Sequence, residues 1–229
     1  MKNILHFLVG SLLLPAFAWA AQFEGKVDFT LNTPRGASQM GYSIKGDKIR
    51  IDLVGQKGMG GMIFEPAKKQ TTVLMPEQKM YMTMEMPDVQ AQAAEAKAGD
   101  VTLEKTGQKE KILGFDAEKF ISTYQGSATE LWLAEGIGTF MAPNQRNPMG
   151  RGAGPAPQGW EKALAGQELF PLRVVSKGKD GKESFRMEAT AINKQALPDT
   201  LFTPPADFQK FDMGAMMNPA MRGGFPTSR

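Results

Sequence analysis

FEGKVDFTL, residues 23–31, sets Phe23, Val27, Phe29 and Leu31 on one side of an extended chain and Glu24, Lys26, Asp28 and Thr30 on the other. That two-residue period marks a half-buried strand, because successive side chains of an extended backbone point to opposite faces. The pattern returns with Met40, Tyr42 and Ile44, then with Ile49, Ile51 and Leu53, and KGDK (45–48) between them is a hairpin signal. Weaker strands follow at Met62, Ile63 and Phe64 and at 71–75, after which PEQK (76–79) turns the chain into KMYMTMEMP (79–87). Strand-like runs resume at 101–104, 108–113, 117–124 and 129–134. PLRVVSKGKDGKESFRMEATAI (171–192) reads as a hairpin with Phe185, Met187, Ala189 and Ala191 on one face.

Between these runs, PDVQAQAAEAKAGD (87–100) is helical in character: Asp88 can cap it, alanines fill it and Gly99 can close it. Val89 is its one large apolar residue, which fits either a solvated connection or a movable lid. FMAPNQRNPMGRGAGPAPQG (140–159) is too rich in Pro, Gly, Asn and Arg to bury much surface and is expected to be a flexible insertion. The fold class is mainly β (α+β), an antiparallel meander of about ten strands beside one short helix.

Residues outside this domain suggest a compartment. Lys2, the short apolar run ILHFLVGSLLLPAFA and Ala18-Trp19-Ala20 form a signal-peptide pattern, with cleavage expected after Ala20. The expected organisation is a signal peptide at 1–20, one β-rich domain at 21–213 and a disordered tail at 214–229. The periplasm is the expected location. Cleavage would remove Lys2 and His6, leaving 26 basic against 24 acidic residues and neither His nor Cys. Thiol and imidazole chemistry, disulfides and the usual zinc sets are thereby excluded, and an enzyme is not expected. The slight positive balance is no footprint for nucleic acid, and the mature chain has no transmembrane segment. GQKGMGG (55–61) lacks the Gly-Lys-Ser/Thr of a phosphate cradle and is expected to be a hairpin loop. No cofactor is expected.

Several phrases carry a family likeness: FEGKVDF, YSIKGDKIRIDL, KTGQKEKILGFDAEKF with TELWLAEGIG, and FPLRV followed by LFTPPADFQKF. In this order they resemble an exported bacterial family known only as domain-of-unknown-function family 4412. More distantly they are similar to the lipoprotein carriers LolA and LolB. The resemblance spans most of residues 23–211. It implies a curved antiparallel half-barrel with an apolar concave face that shields acyl chains, and so lipid or lipidated protein as partner.

Met80, Met82, Met84 and Met86 stand at alternate positions of one strand and share a face, opposite Tyr81, Thr83 and Glu85, which are expected to face solvent. Three readings stay open: plain core, a pocket wall that repacks around its ligand, and a thioether site for Cu(I) or Ag(I). The candidate pocket wall is Phe29, Tyr42, Ile44, Ile51, Met80, Met82, Met84 and Met86. The candidate metal set joins Met84 and Met86 to Met213, Met216 and Met217 of the tail. Neighbouring thioethers on one strand lie about 6.6 Å apart and run parallel, so metal would need ligands from a second element. The leading expectation is a non-enzymatic periplasmic binding protein with an apolar concave face. The alternatives are the metal binder and a structural envelope-stress protein without small ligand.

Overall fold

The alternating stretch forms β1 (Glu24–Thr33), with Val27 and Phe29 buried on its inner face. β1 pairs with β2 (Gly36–Lys45) and β2 with β3 (Lys48–Val54), where Lys45 stands opposite Lys48 across the expected KGDK turn. β4 (Gly61–Glu65), β5 (Gln70–Met75) and β6 (Met80–Glu85) continue the meander. The turns PAKK and PEQK that join these strands are built alike, as single 3-10 turns begun by Pro. Each is closed by a lysine in the left-handed region, Lys69 at φ 48° and Lys79 at φ 49°. The computed structural model describes residues 22–54, 60–86, 101–142, 159–178 and 180–211.

Beyond β6 come β7 (Val101–Ile112), β8 (Phe115–Tyr124), β9 (Ser127–Ala134), the helix α1 (Trp160–Ala163), β10 (Phe170–Lys177), β11 (Glu183–Lys194) and β12 (Gln209–Lys210). Together they make one open sheet of 12 strands, ordered β12-β6-β5-β4-β3-β2-β1-β11-β10-β9-β8-β7. Every pairing is antiparallel except the short one between β12 and β6. The sequence predicts about ten strands; β12, which carries no sequence pattern of its own, is not among them.

Three expectations are corrected, two by register and one by a distant segment. The runs at 101–104 and 108–113 are one strand, β7, bent where Lys105 opposes Phe120 and Lys109 opposes Glu118. Gly107, at φ 77°, sits within that bulge. In β11 the face shared by Phe185, Met187 and Ala189 passes to Ile192, not to Ala191. Asp28 opposes Ala191 and Phe29 opposes Ala189, so Thr190 is the extra residue; its hydroxyl donates to Asp28 O at 3.1 Å. Tyr81 is half-buried rather than simply solvent-facing. It packs with Ile63, Leu74, Leu197 and Phe202 in a second, smaller cluster on the other face of the sheet.

That second cluster exists because residues 195–211 strap across the back of β3 to β6. Lys45 Nζ donates to Leu197 O at 2.6 Å, Arg50 Nη1 to Leu201 O at 2.9 Å, and Leu197 N–H to Glu24 Oε1 at 2.6 Å. Asp199 lies beside Lys45 and Lys48, and the hydrogen bond from Lys45 holds its carboxyl below the usual range. Across the outer face of the other wing, Lys119 pairs with Glu130 and pulls its pKa down, while Arg173 bridges Glu110 and Glu188. Such surface pairs contribute little each; their regular cross-strand spacing fits the observed register. The expected helix at 87–100, the signal peptide and the tail from 214 lie outside the described residues. Among those residues, no helix is long and apolar enough to cross a membrane.

Candidate functional site

The inner face of the sheet is apolar along nearly its whole width, from Met82 on β6 to Phe120 on β8. β2 and β10 are separated by β1 and β11, so in a flat sheet they would lie about 14 Å apart at the usual strand spacing. The rings of Tyr42 on β2 and Phe170 on β10 nevertheless meet at 5.2 Å between centroids. The sheet is therefore curled, and its inner side chains converge.

What fills the convergence is the chain itself. Residues 135–142 and 159–169 lie against the concave face, with Ile137, Phe140, Trp160 and Leu164 buried in the main core. Phe140 is the hub: it stacks on Tyr42 at 5.5 Å and 14°, meets Phe170 edge-on at 5.7 Å and lies 5.7 Å from Trp160. Of the expected insertion at 140–159, Phe140 is packed in the core, Trp160 is packed just beyond it, and residues 143–158 lie outside the described residues. Trp160 packs its ring in the core beside Phe140. Trp132 is half-buried at the rim of the core, with the Arg173 guanidinium 5.9 Å from its ring centroid.

The residues of the candidate wall divide in two. Phe29, Tyr42, Ile44, Ile51 and Met82 are buried in the core, Tyr42 and Ile51 completely. Met80, Met84 and Met86 are only half-buried while touching the same core, so β6 presents a partly open thioether rim. Met75 stands directly opposite Met80, and Thr71 opposite Met84, its hydroxyl buried without a partner among the described residues. Of the candidate metal set, Met84 and Met86 share this rim, whereas Met213, Met216 and Met217 lie outside the described residues. Among those residues, no three His, Cys, Asp or Glu stand close enough to hold a metal ion.

Tyr42 is the polar exception in this wall. Burial raises its hydroxyl pKa far above the usual value, against a smaller opposite effect from Met141 N–H, which donates to it at 2.7 Å. The hydroxyl is therefore a neutral acceptor that fixes the path of residues 140–142. Tyr42→Phe would strand that N–H and is expected to lower stability by about 1–2 kcal/mol, since a buried donor without acceptor is costly. Urea unfolding of both proteins checks this; equal midpoints would mean that the bond contributes nothing.

Sequence reasoning passed over Phe140, Phe170 and Phe211. The triplet Phe-Met-Ala ahead of Pro143 was the available signal for the first, hidden by the polar stretch that follows it.

A profile of the family described as "Domain of unknown function (DUF4412)" matches residues 23–208. No curated protein sequence matches. Among solved structures, an uncharacterized conserved protein from Thermus thermophilus aligns at 11% identity with TM-score 0.52, covering 84% of this chain and 91% of that one. The Pseudomonas aeruginosa MucA/MucB complex aligns at 13% identity with TM-score 0.47, covering 83% of this chain and 58% of that one. A putative outer membrane lipoprotein-sorting protein domain from Vibrio parahaemolyticus aligns at 7% identity with TM-score 0.31, covering 81% and 91%. The first of these likenesses shows a shared fold.

Proposed function

The chain belongs to the DUF4412 family, and on that premise we propose that it is an exported, non-enzymatic binding protein that shields an apolar group from water in the periplasm. Lipid, or the acyl part of a lipidated protein, is the ligand class. The observation that carries this reading is the rim Met80, Met84 and Met86, half-buried and continuous with the apolar concave face. Thioether side chains are flexible and polarisable, so such a rim can repack around chains of different shape. The signal-peptide pattern at residues 1–20 supports the compartment.

Titration with a dansyl-labelled fatty acid tests the reading. Saturable binding is expected, weakened at least about tenfold, or about 1.4 kcal/mol, in Met84→Asp, which sets a carboxylate against the alkyl chain. Failure of the unaltered protein to bind would defeat it.

One observation favours a second reading, the Met-based Cu(I) or Ag(I) site. Phe211 N–H donates to Tyr81 O at 2.7 Å, so the described chain ends at the edge of β6, two residues before Met213 and beside the thioether rim. Soft thioethers from the rim and the tail would be suitable ligands for such an ion. A one-to-one copper adduct in native mass spectra, lost in Met84→Leu, would move this reading ahead of the first.

A further inference from the structure

Residues 135–142 and 159–169 cover the concave face as a plug, and their attachment differs from that of the strands. Their backbone hydrogen bonds are internal: Lys162 N–H to Gly159 O, Ala165 N–H to Lys162 O and Gln167 N–H to Leu164 O, at 3.0 to 3.2 Å. Among the described residues, no backbone–backbone hydrogen bond joins the plug to a strand. It is held by ring packing and by Met141 N–H on the Tyr42 hydroxyl. Contacts of this kind form and break as a unit more readily than a ladder does.

The plug also matches its seat imperfectly. Among the described residues, neither Trp160 Nε1 nor Ser122 Oγ on β8, both buried, has a hydrogen-bond partner. α1 packs on β7 and β8, and Gly159 lies hard against the ring of Tyr124, two residues from Ser122 on the same strand. Ser122 is one of a row of buried hydroxyls, opposite Thr129 on β9, which is opposite Ser176 on β10. Thr129 and Ser176 bond each other at 2.8 Å, so Ser122 is the member left over. One strand step away the same face continues as Phe120, Leu131 and Val174, all apolar. An apolar trough with a hydroxyl row at one end suits a molecule with an alkyl chain and a hydrogen-bonding head.

We infer that the seat of the plug is the ligand site, entered past the β6 methionine rim that borders the same apolar face. The alkyl chain of an acyl lipid lies against Phe29, Tyr42 and Phe170, its carbonyl accepts a hydrogen bond from Ser122, and the plug leaves as the ligand enters. This rests on the reading that the protein binds an apolar ligand. It adds that the chain is its own competitor: the observed affinity is the intrinsic one reduced by the fraction of molecules with the plug displaced. Weakening the plug therefore tightens binding, the reverse of what loss of a contact residue would do.

The experiment uses the exported protein carrying Trp132→Phe; the expected cleavage after Ala20 removes Trp19, so Trp160 is the remaining tryptophan of the three. Oleate is titrated into this protein and into a version with Phe140→Ala added. The expected result is a red shift and severalfold stronger acrylamide quenching of Trp160 on saturation, with about tenfold tighter oleate binding in the Phe140→Ala protein. Oleate that binds while Trp160 stays protected, or binds more weakly after Phe140→Ala, overturns the plug inference and leaves the carrier reading standing. If the Phe140→Ala protein does not fold, the Trp160 signal of its parent decides alone. Absence of binding defeats both.

Discussion

Phe170→Ala is expected to lower the stability of the protein by about 3–5 kcal/mol, the range for emptying a fully packed aromatic site. Phe170 is completely buried where the two wings of the sheet converge. It touches Tyr42 at 5.2 Å, Phe140 at 5.7 Å and Phe29 at 6.0 Å between ring centroids. Those partners come from two strands and the plug, so the ring joins parts of the chain far apart in sequence. The strands on either side are held by their ladders and cannot close around the vacancy. Chemical denaturation followed by circular dichroism gives the value. A loss below about 1 kcal/mol would mean that the space collapses and that the wings are not braced there.

Gly25→Ala is expected to cost about 3 kcal/mol, the upper end of ordinary overpacking. Gly25 lies in β1 opposite Lys194 of β11, at the centre of the sheet. A Cβ at this position would fall 2.2 Å from the carbonyl oxygen of Asn193 and 3.0 Å from the Cα of Lys194. Both atoms are backbone, which cannot rotate aside as a side chain can, so the β1–β11 pair would have to part. Denaturation midpoints of the two proteins check it. A change of less than about 0.5 kcal/mol would show that the strands separate at little cost.

The sequence discloses this fold wherever local alternation and turn chemistry decide it. Val27 and Phe29, Tyr42 and Ile44, Ile49 and Ile51 all reach the core from the faces their spacing assigns, and KGDK and PEQK turn where they are read to turn. What could not be read depends on partners distant along the chain. The bulge that sends Ile192 rather than Ala191 inward arises in the pairing of β11 with β1, more than 160 residues earlier. Tyr81 alternates like a solvent-facing residue and is covered only because residues 195–211 return across the sheet. The plug is hidden for the same reason: Phe140 gains its meaning from Tyr42 and Phe170, and its immediate neighbours in sequence point to a loop.

The candidate wall was legible as a face but not as a surface. Periodicity places Phe29, Tyr42, Ile44, Ile51 and the β6 methionines on one side of the sheet. It gives no sign of which are sealed beneath the plug and which, like Met84 and Met86, stand at the rim.

Whether the concave face takes an apolar ligand is tested most directly by native mass spectrometry of the protein released gently from its own cells. A mass excess in the lipid range, retained by the unaltered protein and lost in Met84→Asp, is the predicted result. A bare protein from lipid-rich preparations would contradict it and leave a structural role in the envelope.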